Sequence, residues 1–308
     1  MAQLLFLGST CADVILHLPR LPHTGDDLHV MGQTVALGGC AYNAFAAARL
    51  FQSADCQLFT PVGTGIWGDW VHAALASRGV HSLLPRVAEA NGCCYCLVDG
   101  IGERTFLCDH GAEYRFRPEW MSLLGDTNYD GAYLCGLEVE EPTGDVLLDY
   151  LEAHPPRRLY FAPGPRLCHI PPHRMARVLA LHPLVHINAA ETEQFTRAAT
   201  VAGGAAMLAE LTQSDVVVTL GSDGAYLIQN ERCRCVPSWD VRVQDTIGAG
   251  DAHIGAIMAC EAAGMSLEEA VLRANRVSAA VVCQEGAALP QDVFQQWMED
   301  VALWDSRK

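Results

Sequence analysis

This sequence predicts an α/β fold: a mainly parallel sheet between layers of helices, with a small separate β-sheet as a lid. Three observations carry that reading. From Gly131 onward, apolar strand runs at 131–134, 158–162, 184–188 and 216–220 alternate with helical stretches near 143–153, 173–181 and 203–212. Such alternation argues for parallel strands with helices on both faces. The run 4–8 is continuously apolar, as a strand covered on both faces must be. Two other regions, about 14–38 and about 92–110, are turn-rich and alternating, and form the lid.

The chain has 308 residues, enough for one large α/β domain with an appendage. With 50% hydrophobic and 18% charged residues it is globular, and no apolar run reaches transmembrane length. The start, Met-Ala-Gln-Leu-Leu-Phe-Leu-Gly, lacks a basic segment and runs straight into a strand, so no signal peptide and a cytoplasmic location are expected. A net charge of −16 argues against nucleic acid as a partner. It also requires any nucleotide phosphate to be held by local dipoles and a metal. The one lysine is Lys308; the other 19 basic residues are arginine. A Walker A loop, a protein-kinase fold and a Schiff-base enzyme all need an internal lysine and are excluded. The 13 cysteines include no Cys-x-x-Cys pair. Cys93, Cys94 and Cys96 lie in one strand-like run and Cys233 and Cys235 in another, which points to reduced, mostly buried thiols rather than disulfides, with zinc a distant alternative.

The first strand leads into Ser9-Thr10-Cys11-Ala12-Asp13. One glycine there is not the three-glycine dinucleotide fingerprint, which argues against a Rossmann oxidoreductase. Gly38-Gly39-Cys40-Ala41-Tyr42-Asn43 then opens a small-residue helix, 44–51. The glycines permit close approach to a ligand, and Asn43 offers both a donor and an acceptor to a polyol; a helix cap with a packing glycine pair explains the same residues. Runs 93–99 and 104–108, joined by Gly100-Ile101-Gly102-Glu103, read as a hairpin.

In the α/β region, Asn188-Ala189-Ala190-Glu191 follows a strand and carries metal- or water-competent side chains, although capping accounts for each separately. The stretch 217–224 reads as strand, turn, strand, with Thr219, Gly221 and Gly224 placed to approach phosphates. Ser266-Leu267-Glu268-Glu269 is a capping box for a long helix to about Cys283. Parallel sheets bind ligands beyond the carboxyl ends of their strands. Asp13, Glu138, Asn188 and Asp251 all follow apparent strand ends, which suggests one shared site.

The centre of that site is Asp245-Thr246-Ile247-Gly248-Ala249-Gly250-Asp251. An alternating run at 236–243 precedes it as a strand, and the apolar stretch 252–263 follows as a helix. Gly248 and Gly250 allow positive φ and leave no side chain in the way. Successive N–H groups then converge at a helix N-terminus, an anion hole. Asp251 falls in the first helical turn, where the dipole favours its ionised form. A carboxylate beside an anion hole suits removal of a hydroxyl proton as a phosphoryl group arrives. An ordinary glycine turn with Asp at a helix start is the simpler alternative.

Taken together, the motifs resemble the ribokinase-like, or PfkB, carbohydrate kinases over nearly the full length, nearest to an uncharacterised sugar-kinase branch. Residues 38–43 are similar to the family's Gly-Gly motif, 188–191 to its Asn-x-x-Glu motif and 245–251 to its Asp-Thr-x-Gly-Ala-Gly-Asp motif. The resemblance implies a ribokinase-like three-layer sandwich, a single domain over 1–308 with the lid segments inserted, and ATP-dependent phosphorylation of a sugar hydroxyl. It implies that Asp251 is the base and that Gly248, Ala249 and Gly250 form the anion hole. Asp13, Gly39, Asn43 and Glu138 would hold the sugar. Asn188, Thr219, Gly221, Gly224 and Asn275 would border the nucleotide, and Glu191 would act on Mg²⁺ through water. Backbone carbonyls of Asp245, Ile247, Val281, Gln284 and Gly286 would hold a monovalent cation such as K⁺, as in some members. The chain departs from the family pattern at Ala162, where many members carry Asp before Gly-Pro-Arg, and at Gly63-Thr64-Gly65-Ile66-Trp67-Gly68, which lacks the usual Asp. A nucleoside kinase of the same fold and a non-catalytic sugar-binding protein are the alternatives. The exposed strand edges of such a lid also suit a lid-to-lid homodimer.

Overall fold

The computed structural model describes residues 1–230 and 232–305, so Lys308 lies outside the described residues. Its strands are β1 (Ala2–Leu7), β2 (Cys11–His17), β3 (Gly32–Gly38), β4 (Ala54–Phe59), β5 (Cys93–Val98), β6 (Arg104–Asp109), β7 (Gly131–Cys135), β8 (Leu159–Ala162), β9 (Leu184–Asn188), β10 (Val216–Thr219), β11 (Ala225–Gln229) and β12 (Arg232–Val236). Eight of them form the main sheet in the order β12-β11-β10-β9-β8-β7-β1-β4. Pairs from β4 through β10 are parallel. β11 and β12 continue the sheet antiparallel.

Alternation along the strands divides the core into two layers. Leu4 and Phe6 of β1 pack beneath the helices Cys40–Leu50, Ala249–Ala262 and Leu267–Val282. Leu5 and Leu7 point the other way, toward the helices Gly144–Ala153 and Pro172–Ala180. Small residues set the spacing of the first layer. A Cβ on Gly255 would lie 2.1 Å from the Ala44 carbonyl oxygen, so only glycine lets the helices Cys40–Leu50 and Ala249–Ala262 approach this closely. That contact carries Asn43 to Asp251.

The second sheet has four strands in the order β3-β2-β5-β6. Val14, Leu37 and Cys93 on one face join the main core. On the other face Ile15, Cys96 and Val98 pack with Ile247, just before the Ala249–Ala262 helix. Directly opposed residues share a face, and the register sets Asp13 opposite Cys94 and Cys94 opposite Cys108.

Two expectations about local structure are corrected. Asp13 lies inside β2 rather than after a strand end. The segment 236–243 is not a strand: β12 ends at Val236, because Pro237 has no N–H to continue the ladder. Among the described residues no helix is long and apolar enough to cross a membrane.

Candidate active site

Gly248 takes φ 70° as the N-cap of the Ala249–Ala262 helix, with Asp251 in the first turn. The helix's first bond of its regular pattern runs from the Ala252 N–H to the Gly248 carbonyl at 2.8 Å. The N–H groups of Gly250 and Asp251 precede it and face outward at the positive end of the dipole. A Cβ on Gly248 would fall 2.2 Å from the Ala287 Cβ. Gly250 behaves differently from the expectation: it is helical, without positive φ. Its contribution is the missing side chain, since a Cβ there would meet nothing within 4 Å.

Asn43 Nδ2 donates to Asp251 Oδ2 at 3.0 Å. The protein packed around Asp251 pushes its carboxyl up to about 7. Bonds from Asn43 and Cys40 oppose that rise, and the charges of Glu138 and Glu191 add to it. The helix dipole favours the ionised form, as expected of a first-turn carboxylate, but burial outweighs it and raises the carboxyl.

Asp13 is buried in β2 of the small sheet. Burial also pushes its carboxyl up to about 7, against a lowering bond from the Cys11 thiol. Gly38 makes room for it, because a Cβ there would lie 1.9 Å from Asp13 Oδ2. Gly39, the N-cap of the next helix at φ 98°, passes so close to Ser9 that a Cβ would meet its carbonyl oxygen at 2.6 Å. Asn43 Oδ1 is buried with no hydrogen-bond partner among the described residues. Glu138 is fully buried in the short helix Gly136–Glu140 after β7. Its Oε1 accepts the Ser9 N–H at 2.8 Å, its Oε2 has no partner, and burial raises its carboxyl. Arg174 holds this turn by donating to the carbonyls of Val139 (3.0 Å), Glu140 (3.2 Å), Glu141 (2.5 Å) and Pro142 (3.1 Å).

On the other side of the Gly248 turn lies a cavity of ≈ 280 Å³. Thr219, Gly221, Gly224, Trp239, His253 and Asn275 line it, and Gly250 opens onto it. Asn275 contributes no free polar group. Its Nδ2 donates to the carbonyls of Val236 and Pro237, both at 3.0 Å, and its Oδ1 bonds His253 Nε2 at 2.8 Å. His253 Nδ1 in turn bonds His186 Nε2 at 2.9 Å. Burial lowers both imidazoles, His253 to about 4, so both are neutral, and the chain fits His186 donating to His253 and His253 to Asn275. Asn188 and Glu191 stand outside the cavity lining and form a reciprocal capping box: the Glu191 N–H donates to Asn188 Oδ1 at 2.8 Å, and the Asn188 N–H to Glu191 Oε2 at 3.2 Å. One Glu191 oxygen therefore stays available, and burial raises that carboxyl. Among the described residues no group of three or more His, Cys, Asp or Glu is arranged to hold a metal ion.

Asp245 joins the two loops beside the turn. Its Oδ1 accepts the Ile247 N–H at 2.7 Å and its Oδ2 the Gly286 N–H at 2.9 Å. The Val282 carbonyl accepts the N–H groups of Gln244 (2.7 Å) and Asp245 (3.2 Å), while the Val281 carbonyl accepts that of Gln284 (3.2 Å).

The profile of the pfkB family carbohydrate kinases matches residues 1–293. This chain belongs to that family. It is 33% identical over 289 residues to an uncharacterised sugar kinase, YegV, of Escherichia coli, covering 92% of this chain and 89% of the relative. It is 26% identical to a ribokinase of Staphylococcus aureus, covering 92% and 95%. A ribokinase structure from Thermotoga maritima superposes with a TM-score of 0.79 at 20% identity, covering 97% and 99%, a likeness of fold. The pfkB chain is thus a kinase with the ribokinase fold.

Sequence reasoning missed Arg174, His186, His253 and Trp239. It singled out Gly38 and Gly39 together, and only the close approach of Asp13 to Gly38 separates their roles. After the departure from the pfkB pattern at Ala162, Arg166 pairs with Glu140, with Nε 2.8 Å from Oε2.

Proposed function

We propose that this carbohydrate kinase uses Asp251 as general base on a sugar hydroxyl while the γ-phosphoryl group of ATP arrives in line at the Gly248–Asp251 turn. The observation that carries this is the position of Asp251: at a glycine-turned helix N-terminus, bonded to Asn43, and directly after Gly250, which lines the Thr219–Asn275 cavity. A carboxyl poised near 7 suits the exchange of one proton with a hydroxyl. Asp13, Asn43 and Glu138, with the Gly38-Gly39 backbone, would hold the acceptor. Thr219, Gly221 and Gly224 would border the nucleotide, and Asn275 would shape its cavity through Val236 and Pro237. Closure of the lid would keep water from the phosphoryl group.

Mg²⁺ belongs to the same proposal. The free oxygen of Glu191 fits an ion held through water and substrate phosphates rather than by a protein cage. Bound there, it would neutralise the charge of the transferring group. A monovalent cation is proposed for the carbonyls of Asp245, Ile247, Val281, Gln284 and Gly286. The fit rests on the Asp245 carboxylate, which draws segments 245–247 and 286 together. The unpaired edges of β3 and β6 keep the lid-to-lid homodimer as a proposal.

A nucleoside acceptor is the second reading, and Phe106 favours it. Phe106 is 52% exposed and shares the Cys96 face of the lid with Asp13, where its ring could stack on a base. ADP release with ATP and Mg²⁺, over pentoses, hexoses, ketoses and nucleosides, tests both readings; no turnover on the whole panel would sink the sugar and nucleoside assignments together.

A further inference from the structure

We infer that Arg104, carried on the lid, is a positioning residue that sets the catalytic loop through Asp245 when the lid is closed. Arg104 begins β6 opposite Val98, on the sheet face that meets the catalytic loop. Its Nη2 lies 2.9 Å from Asp245 Oδ1, with the two side chains only 15% and 5% exposed. Nη1 also donates to Thr246 Oγ1 at 3.3 Å, and Nη2 to the Gln244 carbonyl at 3.4 Å. The guanidinium therefore spans three consecutive residues of the loop. Asp245 passes the constraint on by accepting the Ile247 and Gly286 N–H groups. A continuous set of bonds thus runs from the lid hairpin to the residue preceding the Gly248 turn.

Two independent contacts converge on the same loops. Ile247 packs among Ile15, Cys96 and Val98 of the lid. Thr34 Oγ1 of β3 donates to Glu285 Oε1 at 3.0 Å, and His17 Nε2 lies 3.7 Å from that oxygen. The small sheet therefore grips both segments that Asp245 joins, 245–247 and 285–286. A purely stabilising ion pair explains this less well. Removing two charges from water cancels much of their attraction, and Arg104 Nε stays buried without a partner. What the pair supplies is geometry: small displacements of a catalytic turn cost far more in rate than in stability.

This inference rests on the kinase reading, and its test is built to separate the two. With ATP, Mg²⁺ and the best acceptor of the panel, Arg104→Ala should lower kcat by at least about tenfold, while KM for ATP changes by less than about twofold. Millimolar guanidinium should restore several-fold of the lost kcat in Arg104→Ala and none in wild type, and Arg104→Lys should keep an intermediate rate. In the substrate-free protein, thermolysin should cut the hairpin around Ile101 faster in Arg104→Ala at unchanged Tm. That readout needs no activity, so it tests the latch even if wild type phosphorylates nothing, a result that would sink only the kinase reading. Wild-type kcat in Arg104→Ala overturns the inference, as does a loss that guanidinium leaves unrestored in a variant of wild-type Tm. If neither Arg104→Ala nor Arg104→Gln folds, Arg104 is a stabilising residue and the inference is likewise overturned.

Discussion

Asn43 and Asp251, 208 residues apart in the chain, are joined by one hydrogen bond of 3.0 Å. It couples the Cys40–Leu50 helix, proposed to open the acceptor site, to the Ala249–Ala262 helix, proposed to open the phosphoryl site. Replacing the base alone tests its role. Asp251→Asn is expected to cut kcat by roughly 10²–10⁴, with ADP affinity by calorimetry near wild type. Retention of most of the turnover would refute the assignment.

The same bond has a pH signature. The Asp251 carboxyl sits at about 7, and the Asn43 bond lowers it. The proton must leave Asp251 before it can act as a base, so kcat/KM should rise with pH through about 7. Asn43→Leu removes a lowering contact and should move that rise to higher pH. A profile flat between pH 5.5 and 8.5, about where such a base must titrate, would count against Asp251.

Asp13 carries a stability consequence. Its carboxyl is raised from the ordinary 3.8 to about 7 in the folded protein. The unfolded chain ionises it near 3.8, so its contribution is fully present below that pH and is lost as pH rises through about 7. The largest loss is about 4 kcal/mol above pH 7. Asp13→Asn should therefore raise Tm at pH 8 and leave it unchanged near pH 4. An equal shift at both pH values would contradict the raised carboxyl.

Function should respond oppositely at the same residue. In the proposed acceptor site, the buried Asp13 carboxylate and the unbonded Asn43 Oδ1 would suit neighbouring hydroxyls that donate and accept together. Loss of that contact costs about 1–3 kcal/mol, so Asp13→Ala should raise KM for the sugar about tenfold, with little change in KM for ATP. Sugar, more than ATP, should slow proteolysis of the lid. An unchanged sugar KM, or a preferred acceptor without vicinal hydroxyls, would defeat this placement.

The glycine turn has little tolerance. At φ 70°, and with a Cβ 2.2 Å from that of Ala287, Gly248→Ala combines backbone strain with a clash against the neighbouring loop. A stability loss of about 1–3 kcal/mol by urea unfolding is expected, with a larger fall in kcat. Wild-type kcat in this variant would mean that the turn has no part in the reaction.

The proposed cation has its own check. K⁺ should raise the rate above that in Na⁺ or a bulky organic cation, and the gain should be larger in Arg104→Gln, where a positive charge beside Asp245 is missing. Equal rates in all three salts, in both proteins, would remove the carbonyl site.

Much of the site was legible because its chemistry demands local spacing. An anion hole needs a positive-φ residue directly before a helix and a carboxylate within the next turn, and Gly248 to Asp251 display that in four residues. The parallel sheet was legible for a similar reason, since burial on both faces leaves continuous apolar runs. Boundaries were less so: 236–243 alternates like a strand, yet Pro237 ends the ladder and the segment lines the cavity shared with Thr219 and Asn275 instead. Asp13 read as a strand-end residue because nothing local distinguishes an inward carboxylate in a lid strand from one in a loop.

The sequence by itself determined the family, the sheet class, the absence of lysine chemistry and the identity of the proposed base. Each depends on residue type or on separations of a few positions. The tertiary structure decided the rest, because it depends on which distant segments meet. Packing pressed Asn43 against Asp251 and withdrew water from Asp13 and Asp251, moving both carboxyls to about 7. It also linked His186, His253 and Asn275 into one buried chain, and laid Arg104 of the lid on Asp245, 141 positions away in the sequence. Desolvation and long-range hydrogen bonds leave no periodic trace along a chain; they exist only once the helices and the lid are packed.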